Sequence, residues 1–144
     1  MSASDVAPAR ALSHEELEAW GVALGAALRA PSVVALSGDV GAGKTTLVQA
    51  IARGYGVSEP VTSPTFTLVH QYQAPRSAVH HLDLYRLTSD TALDSIGFDE
   101  LVSQDAVVLI EWAERAGNRV PSGARRISLA HDGTDPAVRL LREG

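Results

Sequence analysis

This sequence predicts an α/β fold of the P-loop NTPase kind: a central, mostly parallel β-sheet flanked by helices. Three observations predict it. The segment Gly38-Asp39-Val40-Gly41-Ala42-Gly43-Lys44-Thr45 is a full G-x-x-x-x-G-K-[ST] match, the pattern of a loop whose backbone N–H groups cradle phosphates. The apolar run Val33-Val34-Ala35-Leu36 enters this loop as a buried strand. Thr46 to Arg53 leaves it as a helix, with Leu47 and Ile51 four apart and Gly54 as its stop. A second apolar run, Val107-Val108-Leu109-Ile110, has the pattern of a parallel strand buried on both faces. It delivers Glu111 to the carboxyl edge of the sheet.

The remaining elements follow in chain order. Residues 1–11 are small and polar with one proline and are expected to be poorly ordered, leaving 12–144 as a single domain. Ser13-His14-Glu15-Glu16 reads as a capping box. Leu17, Trp20, Leu24 and Leu28 follow at helical spacing, so a helix from about Ser13 to Ala30 buries one face, Trp20 with it. Gly56 to Pro64 is a loop. Phe66 to Tyr72 alternates and reads as a strand, Pro75-Arg76-Ser77 as a turn, and Ala78 to Leu84 as the next strand. Ser89 to Gln104 is helical in two pieces broken at Gly97. Short strands are expected at Arg126–Ala130 and Ala137–Leu141.

Composition bounds the function only loosely. A chain of 144 residues with 45% hydrophobic content fits one domain. A net charge of −5 argues against broad, non-specific nucleic-acid binding, though not against an acidic subunit of an RNA-handling complex. The absence of cysteine excludes disulfides and thiolate chemistry. With no apolar stretch long enough to span a membrane and no signal-peptide pattern, a cytoplasmic location is the default expectation.

The chemistry concentrates around Lys44, the sole lysine beside eleven arginines. A compact ammonium can touch phosphates where a forked guanidinium does not fit. In such a loop Lys44 reaches the β- and γ-phosphates and the Thr45 hydroxyl ligates Mg²⁺. The site also needs an acid at a neighbouring strand end. Glu111 and Asp83 both qualify, and could divide metal binding from orienting or deprotonating the attacking water. The more apolar strand favours Glu111 for the metal. Ser63-Pro64-Thr65-Phe66 is either a turn or a switch-like loop that meets the γ-phosphate. Arg86 either stabilises developing charge or pairs with an acid such as Asp83. His80 and His81 are adjacent on a strand, face opposite sides and are not read as zinc ligands. Arg115, Arg119, Arg125 and Arg126 are expected to form a solvated face, with a partner-binding surface as the alternative. No Asn-Lys-x-Asp guanine-reading motif is present, which favours ATP.

Gly38 through Thr46, Ser63-Pro64-Thr65-Phe66, His81-Leu82-Asp83-Leu84-Tyr85-Arg86-Leu87 and Ile110-Glu111-Trp112 occur in this order. Together they closely resemble the TsaE (YjeE) family, the bacterial ATPase of tRNA threonylcarbamoyladenosine synthesis, from about Leu12 to Leu141. The resemblance implies Mg·ATP binding and slow ATP hydrolysis. It also implies work with TsaB and TsaD partners that modify the adenosine beside the anticodon of tRNA. Carried over, Thr45 and Glu111 match the Mg²⁺ ligands, Lys44 the phosphate lysine and Asp83 the second catalytic acid. Gly38, Asp39, Val40, Gly41, Ala42, Gly43 and Thr46 complete the phosphate loop. Thr65 matches a switch-like threonine, and Arg139 an arginine near the C-terminus that reaches the nucleotide. The family carries a threonine in the first helix where this chain has Leu17, leaving Ser13 as that helix's candidate. Two other classes fit a P-loop chain: a small-molecule kinase, for which no Arg-rich lid is evident, and a non-hydrolysing nucleotide-gated binding module.

Lys44→Ala is expected to remove most ATP affinity, since each charge-assisted hydrogen bond lost costs about 1.5–3 kcal/mol. Lys44→Arg is expected to fail as well. Isothermal titration with ATP checks both, and wild-type affinity in the two variants contradicts the loop assignment.

Overall fold

The structure is a computed structural model and describes residues 8–39, 41–62, 68–87 and 89–144. Strand β1 (Arg10–Ser13) leads into helix α1 (His14–Ala27), and β2 (Ser32–Gly38) passes through the glycine-rich loop into α2 (Lys44–Tyr55). Strands β3 (Val69–Gln73) and β4 (Ala78–Asp83) form a hairpin, and two short helices follow, α3 (Asp90–Ser95) and α4 (Phe98–Leu101). Then come β5 (Val107–Glu111), two 3₁₀ turns at Ala113–Arg115 and Gly117–Arg119, β6 (Arg125–His131) and β7 (Val138–Glu143). No helix among the described residues is long and apolar enough to cross a membrane.

The seven strands form one sheet in the order β1-β7-β6-β2-β5-β4-β3. Its centre is parallel, with β2 between β5 and β6, and β4 beside β5. The margins are antiparallel. The core explains this arrangement. Val34, Leu36, Val107, Leu109, Ile127 and Leu129 pack on the α1/α2 side. Ala35, Leu82, Val108 and Ile110 pack with Leu93, Phe98, Ala113 and Val120 on the other. Every residue of β5 is buried, as expected of a strand covered on both faces. The parallel strands end on one edge, which therefore carries Gly38, Glu111, Asp83 and His131. β1 runs the same way and ends there in Ser13, opposite Val138 at the start of β7.

Helix α1 begins as the capping box predicts. Ser13 Oγ accepts from Glu16 N (3.2 Å), and Glu16 Oε1 accepts from Ser13 N (2.9 Å). The capping hydrogen bonds hold the Glu16 carboxyl below its ordinary pKa. The helical segment from Ser89 onward also breaks where expected, at Gly97, which adopts φ 69°.

Four expectations are corrected. Arg10 and Ala11 are not part of a loose terminus; they pair with Leu141 and Leu140 in β1. Helix α1 ends at Ala27, because Leu28 is already extended. Helix α2 starts at Lys44, and Gly54 does not stop it. The helix runs to Tyr55 and is closed by Gly56, whose φ of 110° is the left-handed conformation of a helix C-terminus. Gly54 serves another purpose: a Cβ there would lie 2.1 Å from Val22 O on α1. The arginine group is not a uniform solvated face either. Arg119 donates to Asp94 (2.6 Å), Asp99 (3.0 Å) and the carbonyl of Asp90 (3.1 Å), tying α3 and α4 to the second 3₁₀ turn. Arg125 pairs with Glu143 at 3.2 Å.

Close approach of α1 and α2 is the fold's most demanding contact. Opposite Gly54, a Cβ on Gly25 would sit 2.0 Å from Ile51 O and 2.8 Å from Tyr55 N. Both clashes are with backbone, so only movement of a whole helix relieves them. Gly25→Ala is therefore expected to destabilise the fold by about 1–3 kcal/mol, a fall in Tm of about 3–10 °C. Thermal unfolding followed by circular dichroism checks this, and an unchanged Tm contradicts the packing described.

Candidate functional site

The site is built where β2 turns into α2. Gly43 precedes the helix with φ 100°, and the first helical bond runs from Leu47 N to Gly43 O (2.9 Å). The N–H groups of Lys44, Thr45 and Thr46 therefore have no partner within the helix. With the helix dipole they make a binding place for an anion.

Lys44 is 5% exposed. Its ammonium donates to the carbonyls of Gly38 (2.5 Å) and Asp39 (2.7 Å) and lies 4.0 Å from the centre of the Trp112 ring. Burial lowers the pKa of Lys44, and the charges of Glu114, Glu111, Asp39 and Asp83 act against that shift. The lysine is thus held by the loop it serves. An anion with several oxygens can replace the two carbonyls with charge-assisted bonds.

Glu111 is 2% exposed at the end of β5. Thr45 Oγ1 donates to its Oε1 (2.8 Å), and His81 Nε2 donates to its Oε2 (2.5 Å). Asp83 is the register partner of Glu111 on β4, and its Oδ1 accepts from Tyr85 N (3.0 Å). The structure therefore brings Lys44, Thr45, Glu111 and Asp83 to one place, as the sequence predicts. A threonine hydroxyl and a carboxylate oxygen in contact form the kind of oxygen pair that suits a hard divalent cation.

Beside the loop lies a cavity of about 270 Å³, lined by His14, Leu17, Gly41, Gly43, Thr46, Pro136, Ala137 and Arg139. Arg139 donates to the carbonyls of Pro136 (2.7 Å) and Val138 (3.3 Å), which fixes its guanidinium at the cavity wall. Leu17 packs where a Cβ on Gly43 would lie, 3.2 Å away, so it gives this wall an apolar surface. Ser13 is not among the lining residues. Its hydroxyl caps α1, and the neighbouring His14 takes the place at the cavity. Ala42 is fully buried under the loop. Val40 and the segment Ser63 to Phe66, with Thr65, lie outside the described residues. Arg86 is exposed.

Five residues join the site that sequence reasoning did not assign to it: His81, Trp112, Tyr85, Arg115 and Glu114. His81 shares a face of β4 with Asp83, a relation readable from its i, i+2 spacing. Trp112 adopts φ 58°, which turns its ring over Lys44, and no local sequence signal marks that turn. Tyr85 packs on the same ring at 4.9 Å, with Arg115 5.8 Å from its centre. Glu114 accepts from Gly38 N at 3.4 Å. His80 faces the other side of the sheet, where its Nε2 meets Gln104 Oε1 at 2.8 Å.

A glycine-rich loop between a central parallel strand and a helix, with a buried acid from the adjacent strand beside it, defines a P-loop α/β protein. The profile of the family described as Threonylcarbamoyl adenosine biosynthesis protein TsaE matches residues 11–139. Proteins named tRNA threonylcarbamoyladenosine biosynthesis protein TsaE are similar to this chain in several bacteria. That of Treponema pallidum is 41% identical over 81% of this chain and 86% of its own length. That of Bacillus subtilis is 32% identical over 88% and 78%. That of Nostoc sp. is 46% identical over 66% of this chain, but the match spans only 60% of that relative. Among solved structures, the crystal structure of Bacillus subtilis YdiB matches with a TM-score of 0.70 and 27% identity, covering 94% of this chain and 85% of that one. The chain belongs to the TsaE family.

Proposed function

We propose that this protein binds and hydrolyses Mg·ATP in the cytoplasm as part of tRNA threonylcarbamoyladenosine formation. In this reading it works with TsaB and TsaD proteins and meets tRNA only through that complex. The single observation that carries the proposal is the cluster at the start of α2, where Lys44 reaches Gly38 and Asp39 while Thr45 contacts Glu111. The names of the relatives supply the pathway. The missing guanine-reading motif favours ATP.

Each residue then has a physical task. Lys44 leaves the Gly38 and Asp39 carbonyls for the β- and γ-phosphate oxygens, keeping its charge compensated. Thr45 and Glu111 hold Mg²⁺, which when bound offsets phosphate charge and orients the γ-phosphate. Asp83, level with Glu111 but on the next strand, orients or deprotonates the attacking water. Arg139 and the Leu17 wall receive the rest of the nucleotide in the adjoining cavity. The chain has few groups with which to enclose the γ-phosphate, so hydrolysis by the protein alone is slow. A docked partner that excludes water and supplies positive charge speeds it, and such a group can be worth about 10³-fold. ATP state and docking are then linked reciprocally.

Two experiments test this reading. Glu111→Gln should lose the Mg²⁺-dependent part of ATP affinity. Asp83→Asn should keep that affinity and lose about 10²-fold or more in turnover. Calorimetry with and without Mg²⁺, paired with steady-state hydrolysis, checks both, and unchanged values in the two variants refute the assignment. Adding TsaB and TsaD should raise the hydrolysis rate, and ATP should tighten the complex. A free protein as fast as the complex, with partner affinity indifferent to nucleotide, contradicts the partnership.

A further inference from the structure

The geometry points to His81 as a positioning residue that sets the orientation of the Glu111 carboxylate, leaving Oε1 turned toward Thr45 for the metal. This inference rests on the Mg·nucleotide reading above and extends it to a residue with no role there.

Glu111 has two carboxylate oxygens and, among the described residues, two recorded side-chain partners. Thr45 Oγ1 occupies Oε1 and His81 Nε2 occupies Oε2. Both His81 and Glu111 are almost fully enclosed, with side chains 0% and 3% exposed. Water therefore cannot take the place of His81. A metal ion held by Thr45 and Glu111 would meet Oε1, the oxygen that faces the hydroxyl. Oε2 stays with His81. The imidazole thus keeps the carboxylate from rotating and fixes which oxygen the cation meets.

The surroundings of His81 support a role beyond packing. Its other nitrogen, Nδ1, is buried with no hydrogen-bond partner among the described residues. The strand positions on the same sheet face, Val79, Val107 and Leu109, are apolar and fully buried. An apolar side chain would fill such a place without leaving an unpaired nitrogen, and burying an unpaired polar atom is unfavourable. Among the described residues, the bond to Glu111 is the imidazole's one hydrogen bond. Backbone geometry maintains it, because β4 and β5 pair in parallel with His81 opposite Leu109 and Asp83 opposite Glu111.

The test uses the full chain with His81→Leu, His81→Asn and His81→Gln. Leucine removes the donor, the asparagine amide is too short to reach Oε2, and the glutamine amide can supply an N–H near the position of Nε2. ATP affinity is measured by calorimetry with Mg²⁺ and with EDTA, and thermal unfolding confirms that each variant is folded. His81→Leu and His81→Asn should lower the Mg²⁺-dependent gain in affinity about 10–100-fold, while affinity in EDTA stays at the wild-type value. His81→Gln should restore most of the gain. A wild-type gain in whichever of the Leu and Asn variants folds overturns the inference. So does a glutamine variant that is folded and as impaired as the others, or an equal loss in EDTA. Glu111→Gln run in parallel separates the two levels. If it loses the gain while His81→Leu or His81→Asn keeps it, only the positioning role falls. If neither affects it, the metal assignment falls as well.

Discussion

Everything at this site depends on holding one buried ammonium. A lysine that is 5% exposed must keep its charge compensated. Here two loop carbonyls and the face of Trp112 do so. Each contact constrains the chain. The carbonyls of Gly38 and Asp39 must turn inward, which fixes how β2 leaves the sheet. Trp112 must turn at a positive φ immediately after Glu111, which ties the end of β5 to the loop. Four carboxylates nearby favour the charged form of Lys44 against the effect of burial. Burial nevertheless prevails and leaves the Lys44 pKa below its ordinary value, so phosphate oxygens at the loop would add to the compensation of its charge.

That compensation needs an accurately placed helix, and the α1/α2 contact supplies the placement. Gly25 and Gly54 let the two helices meet backbone to backbone. Leu47 and Ile51 of α2 pack with Leu17 and Leu24 of α1 over the sheet. Lys44 and Thr45 thus stand on a helix fixed on one side by α1 and on another by β2 and β5. Glu111 belongs to a strand buried from end to end. The partners Thr45 and Glu111 lie 66 residues apart in sequence yet meet at 2.8 Å, because rigid elements carry both. Polar chemistry sits at the rim of an apolar sheet, where strand ends can present carboxylates without breaking the core.

Much of this was legible in the chain. The phosphate loop, its flanking strand and helix, the buried β5, the capping box of α1 and the break at Gly97 all carry local signals strong enough to survive folding. The juxtaposition of Lys44, Thr45, Glu111 and Asp83 followed from a parallel sheet gathering its strand ends on one edge. What escaped was set by tertiary contact. Gly54 resembled a helix stop because a glycine near a helix end usually is one, while its actual use, clearing space for Val22 O, depends on a distant helix. Strand β1 is short and polar, and exists because β7 offers it an edge to pair with. Arg119 looked solvated because its acids, Asp94 and Asp99, come from helices whose folding back cannot be read locally. Nothing local marks His81 as a partner of Glu111, because the carboxylate it contacts arrives from another strand.

In the proposed function, Lys44 exchanges its loop carbonyls and Trp112 for phosphate oxygens while a cation is held by Thr45 and Glu111. A crystal structure with Mg²⁺ and a non-hydrolysable ATP analogue tests it most directly. The Lys44 ammonium should lie within hydrogen-bond distance of the β- and γ-phosphates, no longer on both the Gly38 and Asp39 carbonyls. A cation should be bound by Thr45 Oγ1 and by Glu111 through Oε1. An analogue bound away from the loop, with Lys44 still on both carbonyls and Thr45 still donating to Glu111, would contradict it.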